Sequence, residues 1–168
     1  MTAPGDAMLH PVALASLAAL VFNDHYLKLQ APGALSGKLS DVAILVVGPL
    51  LLQGIAEVTA ARGGRAWRPS RRVFLTAAAV TCAAYALEKT VPAATEAYRL
   101  AWGALRWPLD GFAAWARGAR WPSYARAAAV TDPSDLLALP AVAGAWWAQR
   151  GRSNDASCAP PHILLPRP

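Results

Sequence analysis

Three short stretches carry side chains able to do chemistry: Asn23-Asp24-His25 with Lys28, then Lys38 with Ser40-Asp41, and further along Asp132 with Asp135. Carboxylates beside an imidazole suit a proton relay or a hard cation, and a positioned His25 has the chemistry of a general base. Helical pairing competes with each of these roles. Asp24 precedes Lys28 by four residues and Lys38 precedes Asp41 by three, both spacings of ordinary ion pairs. Asp132-Pro133-Ser134-Asp135 reads as an N-cap, a proline at the first helical position and an acid at the third. Asn23 and His25 lack such a local explanation, and for them a site role and plain interhelical hydrogen bonding stand side by side. The chain has no His-Glu-x-x-His, no glycine-rich phosphate loop and no Gly-x-Ser-x-Gly turn.

Helices must position these residues. The 168 residues suffice for one domain, and with 55% hydrophobic and 15% charged residues the chain is more apolar than ordinary soluble proteins. Four runs, Ala7 to Asn23, Val42 to Ala56, Val73 to Leu87 and Leu136 to Gln149, contain no Asp, Glu, Lys or Arg. Each is apolar around its whole circumference, without the polar stripe of a two-faced soluble helix. The expected fold is all-α, a four-transmembrane-helix up-down bundle, with a soluble all-helical domain as the competing class. Helix one should run from Pro11 to about Lys28, ahead of the Pro32-Gly33 turn. Helix two should open over Ser36 to Asp41, kink at Gly48-Pro49 and continue towards Glu57. Helix three should span about Arg72 to Lys89, and helix four should run from Asp132-Pro133 to Trp146-Trp147.

The connection from Thr90 to Thr131 has its own pattern. Arg99, Arg106, Asp110 and Arg117 are spaced seven, four and seven apart, one helical stripe, while Trp102, Leu105, Leu109, Phe112 and Ala116 fall opposite. This predicts an additional interfacial amphipathic helix between helices three and four, anchored by Trp107, Trp115 and Trp121 and bent at Pro108. A helix capping the bundle ends is the alternative. Residues 1–150 are expected to form a single membrane-embedded domain and residues 151–168 a disordered tail. Without a basic region ahead of its apolar stretch, helix one is expected to stay in the mature protein. Cys82 and Cys158 have no pairing logic.

Threaded up and down, the bundle brings Asn23, Asp24, His25, Lys28, Lys38, Ser40, Asp41, Glu88, Lys89, Asp132, Ser134 and Asp135 to one side. The other side receives the five arginines between Arg62 and Arg72, and Arg150 and Arg152. Positive charge crowded into one short loop resists translocation, so that loop and both termini are expected in the cytoplasm. The net charge of +6 is not interleaved with aromatics on a nucleic-acid-binding pattern, so the expected partner is the lipid bilayer and not nucleic acid.

The runs Asn23-Asp24-His25-Tyr26-Leu27-Lys28, Pro32-Gly33, Gly37-Lys38-Leu39-Ser40-Asp41 and Asp132-Pro133-Ser134-Asp135-Leu136 resemble a group of uncharacterised small bacterial polytopic membrane proteins. The resemblance covers helices one, two and four; it implies a bacterial inner-membrane protein and brings no activity. Three functions remain open. The polar cluster could bind or relay a small polar solute, a cation or a proton, although four helices leave little room for alternating access unless the chain forms a homo-oligomer. A membrane-embedded hydrolase or transferase could act on a lipid-linked substrate, with His25 as base, Asp24, Asp41 and Asp135 orienting it or holding a metal, and the amphipathic connection as a lid. In a structural or assembly subunit the charges would set helix register alone. Cofactors, metal and ligand are not specified by the sequence.

Overall fold

The computed structural model describes residues 3–30, 33–63 and 70–157. Pro32, Arg65, Trp67 and Arg68 of the expected turn and arginine loop, and the expected tail from Cys158 onward, lie outside the described residues. The described residues are helical or irregular, with no strand among them.

Helix α1 (Pro11–Phe22) starts on Pro11, whose missing N–H would have had no partner there, and the His10 ring accepts from the Val12 amide at 3.2 Å. It passes without a break into a π turn (Asn23–Leu27) and a last helical turn (Lys28–Gln30). Helix α2 (Ala34–Arg62) opens with the Ser36 hydroxyl taking the Gly33 N–H at 3.2 Å, half of a capping box. It runs through Pro49 and ends where Gly63 N–H reaches Thr59 O at 3.1 Å. Helix α3 (Arg71–Thr90) and helix α4 (Pro92–Ala116) follow, the second with Pro92 at its first position and Pro108 inside it.

The start of the expected fourth helix needs correction. Pro133–Ala141 is a 3-10 helix, and the α-helix, α5 (Val142–Ser157), begins only after Pro140. Pro140 has no N–H to donate and its ring crowds the carbonyl four residues back, so the tighter winding replaces an α-turn. Helix α5 then continues past Gly151.

The chain divides into two compact units, Met1–Cys82 with Ala138–Pro168 and Ala83–Leu137. The core of the first is built from small side chains, Ala7, Ala13, Ala145 and Ala148, around Leu50 and Phe74. Small residues let helices approach closely. A Cβ on Gly48 would lie 2.9 Å from Thr81 Cγ2, and one on Gly144 3.2 Å from Val46 Cγ2. Large apolar side chains point outward instead, among them Leu14, Val21 and Phe22 on α1 and Val42, Ile44, Leu51, Leu52 and Ile55 on α2. Among the described residues one helix, Ser36–Arg62, is long and apolar enough by length and composition to cross a membrane.

The second unit is a hairpin of α4 and the irregular segment that returns along it. Gly118, at φ 70, supplies the left-handed residue that reverses the chain, and Ala119 N–H closes the turn on Ala114 O at 2.9 Å. The returning segment is fastened by Trp107 Nε1 to Pro122 O at 2.8 Å, Tyr124 OH to Leu100 O at 3.0 Å, and Arg99 Nε to Ala127 O at 3.1 Å. The expected charged stripe is present in part as pairs: Arg106 to Asp110 at 3.3 Å, and Glu96 with both Arg99 and Arg126. Leu105, Leu109, Phe112 and Trp115 stay exposed. Trp107 and Trp121 meet each other edge to face at 6.3 Å.

Candidate functional site

The π turn holds the signature residues of the first helix. Lys28 N–H reaches back five residues to Asn23 O, one more than an α-turn, and the wider loop accompanies a fully buried Asn23. The Asn23 amide nitrogen donates to Ser36 O at 2.6 Å and to Ser40 Oγ at 2.7 Å, tying the end of the first helical stretch to the start of α2. The Ser40 hydroxyl in turn donates a hydrogen bond to Asp24 Oδ1 at 3.1 Å, and Asp24 pairs with Lys28 at 2.6 Å. The chain of bonds thus runs from a half-exposed ion pair to a buried amide. Asn23 Oδ1 is buried and accepts no hydrogen bond from any described residue. Rotating the amide would set that oxygen against the Ser36 carbonyl, which only accepts, so the orientation is fixed by its neighbours.

His25 stands apart from this chain. Its Nδ1 lies 3.1 Å from the Val21 carbonyl of its own helix and the ring is exposed, so its described partner is backbone and not a carboxylate. Asp41 is buried on α2 while Lys38 is exposed. Asp132 and Asp135 belong to the second unit. Asp132 is the expected cap, accepting from the Ser134 amide at 2.9 Å through its side chain and from the Asp135 amide at 3.1 Å through its backbone carbonyl. Asp135 pairs with Lys89 at 3.0 Å, Glu88 lies 3.8 Å from the same ammonium, and Tyr85 OH donates to Asp135 O at 2.9 Å. These carboxylates and Lys89 are largely withdrawn from solvent, and the Tyr85 ring faces the ammonium at 5.6 Å.

Of the nine expected site residues, the structure therefore links Asn23, Asp24, Lys28 and Ser40 in one chain of contacts, and gives Asp132 and Asp135 separate partners in the second unit. No group of three His, Cys, Asp or Glu side chains fit to hold a metal occurs among the described residues.

A polar group in the first unit escaped the sequence reading. Gln53, Glu57 and Gln149 are buried at 0%, 3% and 2% exposure. Gln53 Nε2 donates to Glu57 Oε1 at 2.7 Å and to Gln149 Oε1 at 3.1 Å, while Glu57 Oε2 accepts the Gly5 amide at 2.9 Å. The signal was the spacing of four between Gln53 and Glu57, which puts both on one face of α2. Gln53 lay inside the Val42 to Ala56 run, and Glu57 and Gln149 stood at the ends of apolar runs. Gly5, at φ 81, permits this contact, and its close approach to Gly54 leaves 3.5 Å for a Cβ there. Beside it a shallow groove of about 430 Å³ runs over Met8, Leu51, Gly54 and Ile55 to Arg62.

No protein-family model, curated protein or solved structure matches this chain.

Proposed function

We propose that this chain is a multi-pass integral membrane protein of the bacterial inner membrane in which the buried polar groups join helices, and that it acts as a structural or assembly subunit. The observation that carries this reading is the partition of the first unit, where polar side chains share the interior with Leu45, Leu50 and Phe74 while other large apolar ones stay outside. Asn23, Ser36, Gln53, Glu57 and Gln149 are buried, whereas Val42, Ile44, Leu51, Leu52 and Ile55 are 40–54% exposed. In water that arrangement forfeits hydrophobic burial while desolvating polar groups; in hydrocarbon both halves are favourable. Lengths fit the reading. The consecutive segments of 12, 5 and 3 residues from Pro11 to Gln30 extend about 30 Å, and α2 and the 20-residue α3 are at least as long. Helix α5, at 16 residues, is too short to span by itself, and the reading takes it together with the apolar 3-10 turn before it as the fourth span, with α4 in the interface. The arginines from Arg62 to Arg72 favour a cytoplasmic position for that side of the bundle and for both termini. The resemblance to small bacterial polytopic membrane proteins agrees with this placement.

Fractionation tests the first half: the protein should pellet with membranes through an alkaline wash and enter solution only with detergent. Recovery in the supernatant after lysis without detergent would refute it. For the second half, Asn23→Ala should lower thermal stability and leave assembly with partner subunits intact whenever the protein is folded.

One observation favours a second reading, in which the cluster takes up a small polar solute, a cation or a proton. Asn23 Oδ1 is a buried acceptor without a described donor, and an unmet buried acceptor costs about 1–3 kcal/mol. A proton or sodium flux into proteoliposomes that vanishes in Ser40→Ala, with stability unchanged, would favour this reading over the first.

A further inference from the structure

We propose that Arg71, Trp146 and Arg150 form a binding site for the phosphate group of an anionic phospholipid. The inference rests on the membrane reading above and adds a specific ligand to it.

Two guanidiniums converge on one indole. Arg71 Cζ lies 4.7 Å and Arg150 Cζ 5.3 Å from the centroid of the Trp146 ring. The two cationic carbons are therefore no farther apart than the sum of those distances, a span that the oxygens of one phosphate can bridge. Neither guanidinium is paired with a carboxylate of any described residue, and each has the indole as its described partner. Like charges held this close without a counter-ion repel each other, and an anion between them relieves the repulsion.

Three features hold the pair in place and set its sign. Phe74, itself buried, packs on Trp146 with ring centroids 5.6 Å apart, which fixes the platform on which both arginines rest. Arg71 is the first residue of the 20-residue α3, whose leading amides and dipole add positive potential at the same point. From Val58 to Leu87 the sequence contains five arginines and no Asp or Glu, so the stretch around Arg71 is uniformly basic.

The same charges could take a free phosphate ion. The lipid is the favoured source because Trp146 and the exposed Trp147 end an apolar helical stretch, the level at which aromatic side chains meet headgroups. Arginine forks suit a phosphate better than a point charge would.

The test uses the full chain purified in a neutral detergent, with thermal unfolding followed against added phosphatidylglycerol, phosphatidylcholine or inorganic phosphate. Phosphatidylglycerol should raise Tm in the parent, and Arg71→Gln/Arg150→Gln should weaken its apparent affinity by at least about tenfold, the factor equivalent to roughly 1.4 kcal/mol. The single Arg150→Gln variant, which keeps the Arg71–Trp146 contact, should move the same way and guards against misfolding of the double variant. Arg117→Gln/Arg120→Gln removes equal charge from the end of α4 and should leave the affinity within about twofold. Equal losses in the two double variants, or no loss in either arginine variant, overturn the proposal. An equal response to inorganic phosphate overturns the lipid as source. Solubility without detergent, seen beforehand at fractionation, would refute the membrane reading itself, whereas an unchanged lipid response in a detergent-dependent protein refutes only this site.

Discussion

Gly111→Ala gives the sharpest test of how the second unit is held together. A Cβ on Gly111 would lie 2.2 Å from two atoms of the Trp121 ring, well inside the 3.4–4 Å of ordinary contact. The indole would have to leave, and with it its edge contacts to Trp107 at 6.3 Å and Phe112 at 5.7 Å. Trp121 is 48% exposed, so about half of a tryptophan surface is lost from burial. Roughly 100 Å² at 25 cal/mol per Å² is about 2.5 kcal/mol, and the aromatic contacts add about 0.5 kcal/mol or more. Alanine returns about 1 kcal/mol in the helix, leaving a net loss near 2 kcal/mol, or about 30-fold in the detached population of the returning segment. Trypsin reports that population, because Arg120 and Arg126 lie on the segment and cleavage follows the open fraction when reclosing is fast. The expected outcome is about 30-fold faster cutting there in Gly111→Ala. In a Trp121→Ala background the same change should have no such effect. An unchanged cutting rate in Gly111→Ala, or an equal acceleration in both backgrounds, would refute the claim that Gly111 exists to seat Trp121.

Other perturbations read out individual contacts. Asn23→Ala removes both interhelical hydrogen bonds and should cost about 1–3 kcal/mol by thermal unfolding, with Asn23→Leu no milder because Ser36 O loses its donor in either case. Gly48→Ala should destabilise by about 1 kcal/mol or more despite better helix propensity, since Thr81, pinned to Ala77 O at 2.9 Å, cannot swing aside freely; Thr81→Ala should restore stability. Lys89→Gln removes the ammonium that lies 3.0 Å from Asp135 and 3.8 Å from Glu88 and should lower stability, measured by denaturant unfolding, while Lys89→Gln/Asp135→Asn should recover part of the loss.

Helix positions were legible in the sequence because uninterrupted apolar runs and proline starts are strong local signals. Pro11 opens its helix as its place in the sequence implies, and the Asp24–Lys28 pair and the Asp132 cap follow directly from spacing. Three things were not legible. The π turn over Asn23–Leu27 depends on where Asn23 finds tertiary partners, and no residue type marks it in advance. The 3-10 winding before Val142 could have been suspected at Pro140, but the apolar pattern on either side of that proline reads the same for both helix types. The Gln53–Glu57–Gln149 contact joins residues 96 positions apart, and only packing could reveal it.

The extra residue in that wide turn carries a consequence for chain length. Deleting one residue between Asp24 and Leu27 would let the backbone settle into regular α-winding and leave the helix beyond nearly in place, because the π turn already holds one residue more than an α-turn. Lys28, then three residues from Asp24, would keep to the same side of the helix, while Asn23 would lose the wide turn that accompanies its burial. At this point a missing residue disturbs the chain downstream less than it would inside a regular helix.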